Sequence, residues 1–559
     1  MWATRWSTKS VHRRSGLLFI LALLTIDSLA SATGPEYRGF WVDTFNSNLN
    51  NHADVLSVVQ KARSAKANVV FVQVRRRGDA WYLNSLEPQP DFVPIEAGFD
   101  PLYDLIQTAH ANELEVHAFV IMGAIWNKNP SFAPTATLGP PTSTAHVFNI
   151  HSGFDPSTGR VELGFHNWLT RSLLPDGTAG ISFQGHRFGS DFWLDFGHPD
   201  AAAYSAEVVL QLVRNYDLDG LHLDRIRYPE FSASGQTPTS GANVGYNAVS
   251  VYRFQERYGI AHDSPPPDPG DDRWSQWRRD QVTNLVRRIY LNARAIRPKV
   301  TISAALIAFG GGPTTEASWK AAEAYWRVFQ DWRAWTEEGI LDLAIPMNYK
   351  RDNIAQQAGW YDQWNEWTRN HQYSRAALAG LGIYLNAIEW SLPQTRRALQ
   401  ASAATGRSLL GVSFYSLAVP DAALADIQAR GIAEFASALT TGKSVDASIL
   451  YEDPELNPVP VFAERAAIPE LKWKTAPPHG HLMGYAVRGR GAPLDTADVF
   501  IYNAKGQVER TTTTDGNGFF GAVDLPVGRY ALIVEIGTER MLSNELTVSP
   551  GGVAVATFQ

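Results

Sequence analysis

The middle of the chain alternates between short apolar runs and longer amphipathic stretches. The apolar runs cover residues 37–43, 68–74, 114–122, 220–224, 299–306, 340–348, 376–384 and 409–415. Helical patterns separate them over 53–67, 101–112, 201–215, 274–296, 319–337, 357–370 and 393–403. Nearly continuous apolar strands separated by helices are typical of a parallel sheet covered on its outer face. Eight such units predict an α/β fold, a (β/α)8 TIM barrel, over about residues 33–438.

The pattern changes after the predicted barrel. Residues 439–478 are rich in Pro and Ala, lack clear periodicity and are predicted to form a linker. Short strands follow at 482–487, 498–502, 518–523 and 529–535, with a last one near Val553 and a turn signal over 514–518. We therefore predict a C-terminal β-sandwich domain over 479–559, in which no catalytic cluster is visible.

The first 32 residues have the pattern of a bacterial export signal. Arg13 and Arg14 precede an apolar run over 17–26, and the small residues Ala30 and Ala32 offer a cleavage site. The run is shorter than the roughly 20 residues that span a bilayer, and an uncleaved anchor is the alternative. We expect a signal peptide, a periplasmic or extracellular location after cleavage, and no transmembrane span in the mature chain.

Composition narrows the possible partners. A net charge of -7 over 559 residues gives no reason to expect nucleic acid as a partner. Cysteine is absent, which excludes disulfides, thiolate metal ligands and a lipoprotein anchor. The 18 Trp and 20 Tyr residues can fill a core or stack on the apolar faces of sugar rings, and composition alone does not separate the two.

The fourth predicted strand ends in a cluster of charged residues. Within 220–224, His222 and Asp224 share one face of the strand, and the leucines between them suit the opposite, helix-facing side. Active sites of this fold lie at the carboxyl ends of the strands, and a carboxylate there is costly unless it is paired or used. Asp224 is therefore the first candidate for catalysis, whereas Asp219 at the other end of the strand is expected to be a cap.

Long loops are predicted at the same end of the barrel. One covers about 126–199 and another covers 230–246, and loops of this length are commonly lids or binding walls. The first is rich in aromatic and histidine residues, which favours an ordered wall. Together the loops enlarge one mouth of the barrel, as an extended polysaccharide or oligosaccharide would require.

Several stretches resemble the glycosyl hydrolase-like 10 family. They are EYRGFW (36–41), VQVRRRGDAWY (72–82), LEVHA (114–118), LDFGHP (194–199), DGLHLDRIRYP (219–229), WRRD (277–280) and IPMNY (345–349). The resemblance implies a (β/α)8 barrel, an exported bacterial protein and glycoside cleavage. Some relatives are implicated in cutting the glycan strands of peptidoglycan, particularly strands stripped of peptides. The C-terminal region resembles the carboxypeptidase regulatory-like β-sandwich, a module that mostly serves as a spacer or binding support.

One position departs from the family pattern. Many members carry a second acidic residue directly after the strand-four aspartate, where this chain has Arg225. The departure puts any mechanism that needs that acid in doubt, and it can mark a different substrate. Arg225 and Arg227 would point away from Asp224 if the strand continued, but a loop beginning there could turn either one back.

Glycoside hydrolysis usually needs two carboxyl groups across the scissile bond. Asp224 is the first, at the position of the strand-four nucleophile of amylase-like barrels, which is an analogy at the level of fold. The second is open between Asp43, Asp79, Asp195 and Glu389, each of which can also be a cap or a loop anchor. Glu389 follows strand seven, where barrel glycosidases often place an acid. The catalytic candidates are therefore Asp224, Glu389 and Asp43.

Further polar and aromatic residues are expected to bind substrate hydroxyls or sugar faces. They are Gln73, Arg75, Asp79, His117, Trp126, Asp195, His222, Arg225, Asn348, Tyr349 and Trp390. No cofactor and no metal site is expected, because no pair of histidines has the close spacing of a zinc motif.

Two alternatives stay open at this point. His117, His222 and Asp224 come from different strands, and their convergence would favour a metal-dependent polysaccharide deacetylase. A barrel that has lost one acid could instead bind carbohydrate without cleaving it.

Overall fold

The computed structural model describes residues 34–91, 93–127, 140–155, 157–158, 160–173, 186–230, 236–423, 428–442 and 459–558. The predicted signal peptide over 1–32 lies outside these residues. Within the described ranges, no helix combines the length and the apolar character that crossing a membrane requires.

Eight parallel strands form a closed barrel. They are β1 (Tyr37–Val42), β2 (Val69–Arg75), β3 (Glu115–Ile121), β4 (Gly220–Asp224), β5 (Thr301–Ile307), β6 (Leu343–Met347), β7 (Ala379–Gly382) and β8 (Gly411–Tyr415). Each strand pairs with its neighbour in sequence, and β1 pairs with β8 to close the ring. A short preceding segment, Ala376–Ala377, also pairs with β6. The predicted TIM-barrel fold is confirmed.

Helices surround the barrel and its loops. They are α1 (His52–Ser64), α2 (Pro101–His110), α3 (Val147–His151), α4 (Pro199–Asn215), α5 (Ala248–Tyr258), α6 (Asp272–Ile296), α7 (Glu316–Lys320), α8 (Glu323–Trp326), α9 (Trp332–Glu338), α10 (Ala355–Asn370), α11 (Ile388–Leu399), α12 (Ile432–Thr441) and α13 (Lys472–Thr475). Local sequence explains where they begin. Asp100 accepts a hydrogen bond from the Tyr103 amide before α2, and Pro101 occupies the first turn, where its missing N–H costs nothing.

The barrel interior is filled with aromatic side chains rather than open space. Trp41, Phe71 and Phe119 surround His222, with ring centroids 5.7, 4.8 and 5.5 Å from the imidazole. Every residue of β1 and β2 is buried, because one face packs into this interior and the other against helices. The chemistry of the barrel is therefore confined to its ends.

The long loop after β3 builds one wall of the mouth. Its strand Ala124–Asn127 pairs with Asp191–Trp193, which in turn pairs with Arg187–Phe188, all antiparallel. Helix α3 packs beside this small sheet, where Phe148 lies 5.0 Å from the ring of Phe192. The described parts of the loop are thus an ordered wall.

The C-terminal region is a β-sandwich of mainly antiparallel strands. Its strands are β9 (His479–Tyr485), β10 (Asp498–Asn503), β11 (Val508–Thr513), β12 (Phe519–Pro526), β13 (Gly528–Ile536), β14 (Glu539–Leu542), β15 (Leu546–Val548) and β16 (Val553–Ala556). One sheet has the order β12-β9-β16 with β9 and β16 parallel, and the other has the order β11-β10-β13-β14 with β15 beside β13. Val499, Leu532 and Phe520 belong to the core between them.

Residues 439–441 of the predicted linker belong to helix α12, and residues 459–478 pack against the amino-terminal end of the barrel. Phe462 is fully buried and joins the barrel core, as does Leu471. The Trp473 indole donates to Oδ1 of Asp342, the residue before β6, at 2.7 Å. Nζ of Lys474 lies 2.8 Å from the other Asp342 oxygen. This segment covers the bottom of the barrel.

The β-sandwich also contacts the barrel directly. Arg253 of α5 donates to both carboxylate oxygens of Asp495 at 2.6 and 2.8 Å. Arg375 lies 2.9 Å from Asp524 of β12. Gly521 packs so closely on Leu291 of α6 that an added Cβ would lie 2.1 Å from its side chain. The two domains thus share a continuous interface.

Candidate active site

Three tyrosines meet at the carboxyl end of the barrel. Tyr349 follows β6, Tyr384 follows β7 and Tyr415 ends β8. The Tyr349 and Tyr415 rings stack with centroids 5.6 Å apart, and Tyr384 lies edge-on at 6.0 and 5.8 Å from them. Trp41 lies beneath, 6.3 and 6.2 Å from Tyr349 and Tyr415. We call these four rings the aromatic floor.

Two carboxylates influence the phenols of the aromatic floor electrostatically. Asp43 follows β1 and Asp224 ends β4, so both lie at the carboxyl end of the barrel. Burial raises the pKa of the Tyr415 phenol, and the charges of Asp43 and Asp224 raise it further. The pKa of Tyr349 is raised well above its ordinary value, mainly by burial and then by its neighbours, which again include both aspartates. Both phenols are therefore protonated donors at neutral pH.

Asp43 is held on one side only. Its Oδ1 accepts hydrogen bonds from the Phe45 and Asn46 amides at 3.2 and 3.0 Å and from Nδ2 of Asn46 at 2.8 Å. Gln73 fixes the same turn by accepting from the amide and hydroxyl of Thr44 at 2.9 and 2.7 Å. The buried Oδ2 has no hydrogen-bond partner among the described residues. One oxygen of this buried carboxyl group is thus without a hydrogen-bond donor among the described residues.

The chain turns immediately after Asp224. Arg225 has a left-handed backbone with φ 49°, and its amide donates to Oδ1 of Asp224 at 2.7 Å. Its side chain leaves the strand and donates to Oδ2 of Asp191 at 2.6 Å. Nη1 of Arg227 lies 3.9 Å from Oδ1 of Asp224. The turn therefore brings Arg227 near the carboxylate, while Arg225 pairs with the loop wall.

His222 lies below the aromatic floor. Its Nε2 accepts a hydrogen bond from the Trp41 indole at 2.8 Å, and its Nδ1 lies 2.9 Å from the Ser303 hydroxyl. Burial, followed by the nearby His117, holds its pKa well below the ordinary value, so the imidazole is neutral. His222 thus organises the interior and has no free nitrogen for a substrate.

His117 lies deeper still. It pairs in register with Gly220 at the start of β4, and its Nε2 is 3.3 Å from Oε2 of Glu115. In the part of the chain that the structure describes, no three His, Asp or Glu side chains are grouped as metal ligands. The convergence of His117, His222 and Asp224 that a deacetylase would need is not seen.

Several predicted site residues are engaged in other contacts. Both Glu389 oxygens accept hydrogen bonds from Arg430 at 2.7 Å. Arg75 makes two 2.6 Å hydrogen bonds to Glu87 in a fully buried pair. Asp79 accepts from the Arg76 and Arg77 amides at 3.0 and 2.8 Å and closes the turn after β2. The structure places all three in the framework around the mouth.

Asp195 joins loops rather than facing the aromatic floor. It is fully buried, and it accepts hydrogen bonds from the Ser250 hydroxyl, the Gly197 amide and the Tyr228 phenol at 2.9, 2.9 and 3.1 Å. Burial raises its pKa. Asn348 is also turned outward, donating to the Tyr361 carbonyl at 2.9 Å. Through these contacts, Asp195 and Asn348 hold neighbouring segments of the chain in place.

The remaining predicted aromatics lie around the mouth. Trp126 belongs to the loop wall, 5.4 Å from the ring of His146. Trp390 is half-buried in the first turn of α11, next to Glu389. Sequence reasoning did not name Tyr384 or Tyr415 as site residues, although each ends a predicted strand, 376–384 and 409–415.

Comparison with known proteins gives matches to two families. Residues 173–395 match the glycosyl hydrolase-like 10 family. Residues 482–559 match the carboxypeptidase regulatory-like domain. Both resemblances read from the sequence are confirmed. The glycosyl hydrolase-like 10 match begins in the loop wall and includes β4 with Asp224.

Two curated relatives are named glycosyl hydrolases. The chain is 23% identical over 354 residues to glycosyl hydrolase DigH of Escherichia coli (strain K12), covering 59% of this chain and 69% of that protein. It is 23% identical over 365 residues to glycosyl hydrolase YngK of Bacillus subtilis (strain 168), covering 64% of this chain and 58% of that protein.

Among solved structures, the PgaB (BpsB) glycoside hydrolase domain from Bordetella bronchiseptica aligns with a TM-score of 0.44 and 13% identity. The alignment covers 69% of this chain and 95% of that one. The catalytic domain of β-amylase from Paenibacillus polymyxa aligns with a TM-score of 0.45 and 10% identity, covering 69% and 93%.

Proposed function

We propose that this protein is an exported glycoside hydrolase that cleaves a bacterial polysaccharide, with Asp224 and Asp43 as its two essential carboxyls. One observation carries the proposal. Asp43 follows β1 and Asp224 ends β4, so both carboxylates lie at the carboxyl end of the barrel, where Tyr349 and Tyr415 also lie. Paired carboxyl groups beside a sugar-binding surface are what glycoside hydrolysis requires.

The contacts suggest different roles for the two carboxyls. We assign the role of general acid to Asp43, one of whose carboxyl oxygens has no donor among the described residues. We assign the role of nucleophile or base to Asp224, which accepts a hydrogen bond from the Arg225 amide and has Arg227 nearby. The distance between the carboxyls distinguishes the two stereochemical outcomes, about 5–5.5 Å for retention and about 6.5–9.5 Å for inversion.

The aromatic floor supplies a surface for the sugar. Tyr384 is 37% exposed, and Tyr349 and Tyr415 are half-buried, so parts of these side chains are accessible at the mouth. A pyranose has an apolar face that stacks on such rings, while its hydroxyls can accept from phenols that stay protonated. The loop wall beyond Trp193 would extend the contact to further sugars of a strand.

The substrate we propose is the glycan strand of peptidoglycan. The match to the glycosyl hydrolase-like 10 family supports the reaction class, and the relatives named glycosyl hydrolases point the same way. The export pattern of the first 32 residues supports a periplasmic or extracellular location, where that polymer is found.

Matched aspartates at opposite ends of β4 provide the test. Asp224→Asn should leave the fold intact and lower the rate of glycan cleavage by a factor of about 10² or more. Asp219 accepts from the Val116 amide and contacts His110, both at 2.8 Å, on the side away from the mouth. Asp219→Asn should lower stability and leave the rate of folded enzyme nearly unchanged. Equal rates for Asp224→Asn and wild type would refute the proposal.

A second function has one observation in its favour. Arg225 stands where many members of the family carry an acid, and it is paired with Asp191 rather than directed at Asp224. A barrel of this kind could bind glycan without cleaving it. Measuring released reducing ends and glycan affinity in the same preparation separates the two, because binding without products would support the lectin-like function.

A further inference from the structure

A polar cleft lies between the barrel and the β-sandwich. It has a volume of about 490 Å³, within the range of about 300–1,000 Å³ that is usual for small-ligand sites. One wall is helix α6, and the other consists of strands β10 and β11. Neither Asp224 nor the aromatic floor lines this cleft, so it is separate from the candidate active site.

The sandwich wall contributes an aromatic ring that belongs to no core. Val499 and Ile501 of β10 point into the sandwich core, so Phe500 between them faces the opposite side of the sheet. Phe500 is half-buried, lines the cleft and lies outside the hydrophobic cores that the described residues form. Thr511 and Thr513 of β11 also line the cleft, and Thr511 lies directly across from Phe500. The ring is therefore flanked by hydroxyl groups rather than by apolar side chains of a core.

The barrel wall contributes polar groups at helical spacing. Asp280, Thr283, Asn284 and Arg287 form one stripe along α6, which spans about 10 Å at the rise of an α-helix. The Thr283 hydroxyl accepts from the Trp335 indole at 2.9 Å, which leaves its own proton to be donated. Oδ1 of Asn284 accepts from Nη1 of Arg287 at 2.5 Å, and the Asn284 amide nitrogen carries two further donors. The two walls thus combine hydrogen-bonding groups with one aromatic ring.

The charges of the cleft favour an uncharged ligand. Arg287 is neutralised by Glu338, whose Oε2 accepts from its Nη2 at 2.8 Å. Asp280 and Asp498 lie on opposite walls, and neither has an ion-pair partner in the ranges that the structure describes. Two such carboxylates repel an anion, but they accept hydrogen bonds from neutral hydroxyl groups.

We propose that this cleft is a second carbohydrate site, which binds uncharged sugar residues of a polysaccharide on the flank of the barrel. The Phe500 ring offers an apolar surface on which a pyranose face can stack, and the threonine, asparagine and aspartate side chains match its hydroxyl groups. The inference rests on the proposed function only for the identity of the polymer. A long strand would be held at the cleft while another part of it occupies the mouth.

Threonine methyl NMR distinguishes binding at the cleft from binding at the mouth. The probe is the tetramer of N-acetylglucosamine, titrated into the full-length protein carrying Asp224→Asn, so that the proposed hydrolysis is blocked. We expect the methyl signals of Thr283, Thr511 and Thr513 to shift until they saturate. Tetragalacturonate, which is anionic, should leave these signals in place at the same concentrations. Cleft signals that ignore the neutral tetramer, or that respond to both tetramers alike, would overturn the proposal.

Phe500 and Tyr502 provide a matched pair of variants. Both are half-buried aromatic residues that alternate along the outer face of β10, but Tyr502 does not line the cleft. Phe500→Ala should raise the dissociation constant of the neutral tetramer about tenfold, whereas Tyr502→Ala should change it by less than about twofold. Asn284→Ala should also weaken binding, since it removes donors from the barrel wall and leaves the sandwich untouched. An affinity unchanged in either Phe500→Ala or Asn284→Ala would refute a site built from both walls.

Cleavage supplies an independent comparison if the proposed function holds. Phe500→Ala should lower kcat/KM on long glycan strands and leave it unchanged on oligomers too short to reach from the mouth to the cleft. Equal losses on both would mean that Phe500 acts through the stability of the barrel, against a second site. The methyl shifts need no cleavage, so binding at the cleft is measured even when no products are released, and the two proposals fail separately.

Discussion

Arg430 donates two parallel hydrogen bonds to Glu389, Nη1–Oε1 and Nη2–Oε2, each 2.7 Å long. The same guanidinium donates to Oδ2 of Asp421 at 2.8 Å, and Oδ1 of Asp421 receives the Ile388 amide at 2.9 Å. This network ties the start of α11 to the chain that precedes α12. The position of Glu389 after strand seven thus has a structural reason.

Glu389→Gln should therefore affect stability rather than chemistry. Glu389→Gln removes one charge from the buried network while Arg430 keeps its contacts with Asp421, and we expect a loss of about 1–2 kcal/mol in the free energy of unfolding. The kcat of the folded enzyme should change by less than about threefold. Chemical denaturation and steady-state rates on one preparation check this. An unchanged stability with a hundredfold loss of kcat would instead make Glu389 a catalytic acid.

Asp43→Asn should have the opposite profile. The amide oxygen of Asn can still accept from the Phe45 and Asn46 amides, so the turn should persist, while the proton-transfer capacity is lost. We expect kcat to fall by about 10²–10⁴ with little change in stability. Asp79→Asn is the matched control, because Asp79 also accepts two backbone amides after a strand. A larger rate loss in Asp79→Asn than in Asp43→Asn would contradict the assignment.

The barrel could be predicted because its strands are buried on both faces and its helices are amphipathic. Strand β4 is an example, since the predicted run over 220–224 is the observed Gly220–Asp224. Alternation along that strand also directs His222 and Asp224 to the same face. It does not show which groups the side chains contact, however, and only the packed interior shows that His222 accepts a hydrogen bond from Trp41.

The composition of the site was harder to predict for a related reason. Strand ends identify Asp43, Asp224 and Tyr349 as candidates, because every β-strand of this fold ends at the same rim. Whether a rim carboxyl is free depends on contacts made far along the chain, as between Glu389 and Arg430. Sequence spacing contains no record of such partners, so the sequence leaves the second carboxyl open.

His222→Phe should destabilise the interior and change its pH dependence. The variant keeps an aromatic ring but removes the acceptor of the Trp41 indole, which we expect to cost about 1–3 kcal/mol. Because the folded pKa of His222 lies well below its unfolded value, wild-type stability is complete above about pH 6.5 and decreases as the pH falls below it. Urea unfolding at pH 7.5 and 5.5 should show a smaller decrease in the variant. An equal decrease would mean that His222 is charged or exposed.

Lys350 should give a signature at alkaline pH. Its Nζ donates to the Ala308 carbonyl at 2.6 Å, and burial lowers its pKa from 10.5 to about 8. The unfolded chain therefore holds this proton to higher pH, so wild-type stability should rise between about pH 8 and 10.5, by up to about 3 kcal/mol. Lys350→Met should lack that rise, whereas Lys320→Met at an exposed position should retain it. Identical pH profiles for wild type and Lys350→Met would exclude a buried ammonium.

The last prediction concerns the contacts at the amino-terminal end of the barrel. Its fully buried Asp342 pairs with Trp473 and Lys474, which lie beyond the last barrel helix. The predicted boundary near 438 leads to the expectation that the barrel folds alone, but a chain ending at Thr441 would leave Asp342 without these partners and expose the core that Phe462 covers. We expect such a chain to melt well below the full-length protein or to aggregate.

A chain ending at Pro478 separates the two contributions. It keeps the segment against Asp342 and loses only the β-sandwich, along with the Arg253–Asp495 contact and the packing of Gly521 on Leu291. We expect its melting temperature to lie between those of the other two, because the buried charge is paired again while the side of α6 is uncovered. Calorimetry on the three chains measures the drop in melting temperature when the β-sandwich is removed and the further drop when residues 442–478 are removed. A chain ending at Thr441 that melts like the full-length protein would show that the barrel is autonomous, and that the contacts beyond α12 contribute little to its stability.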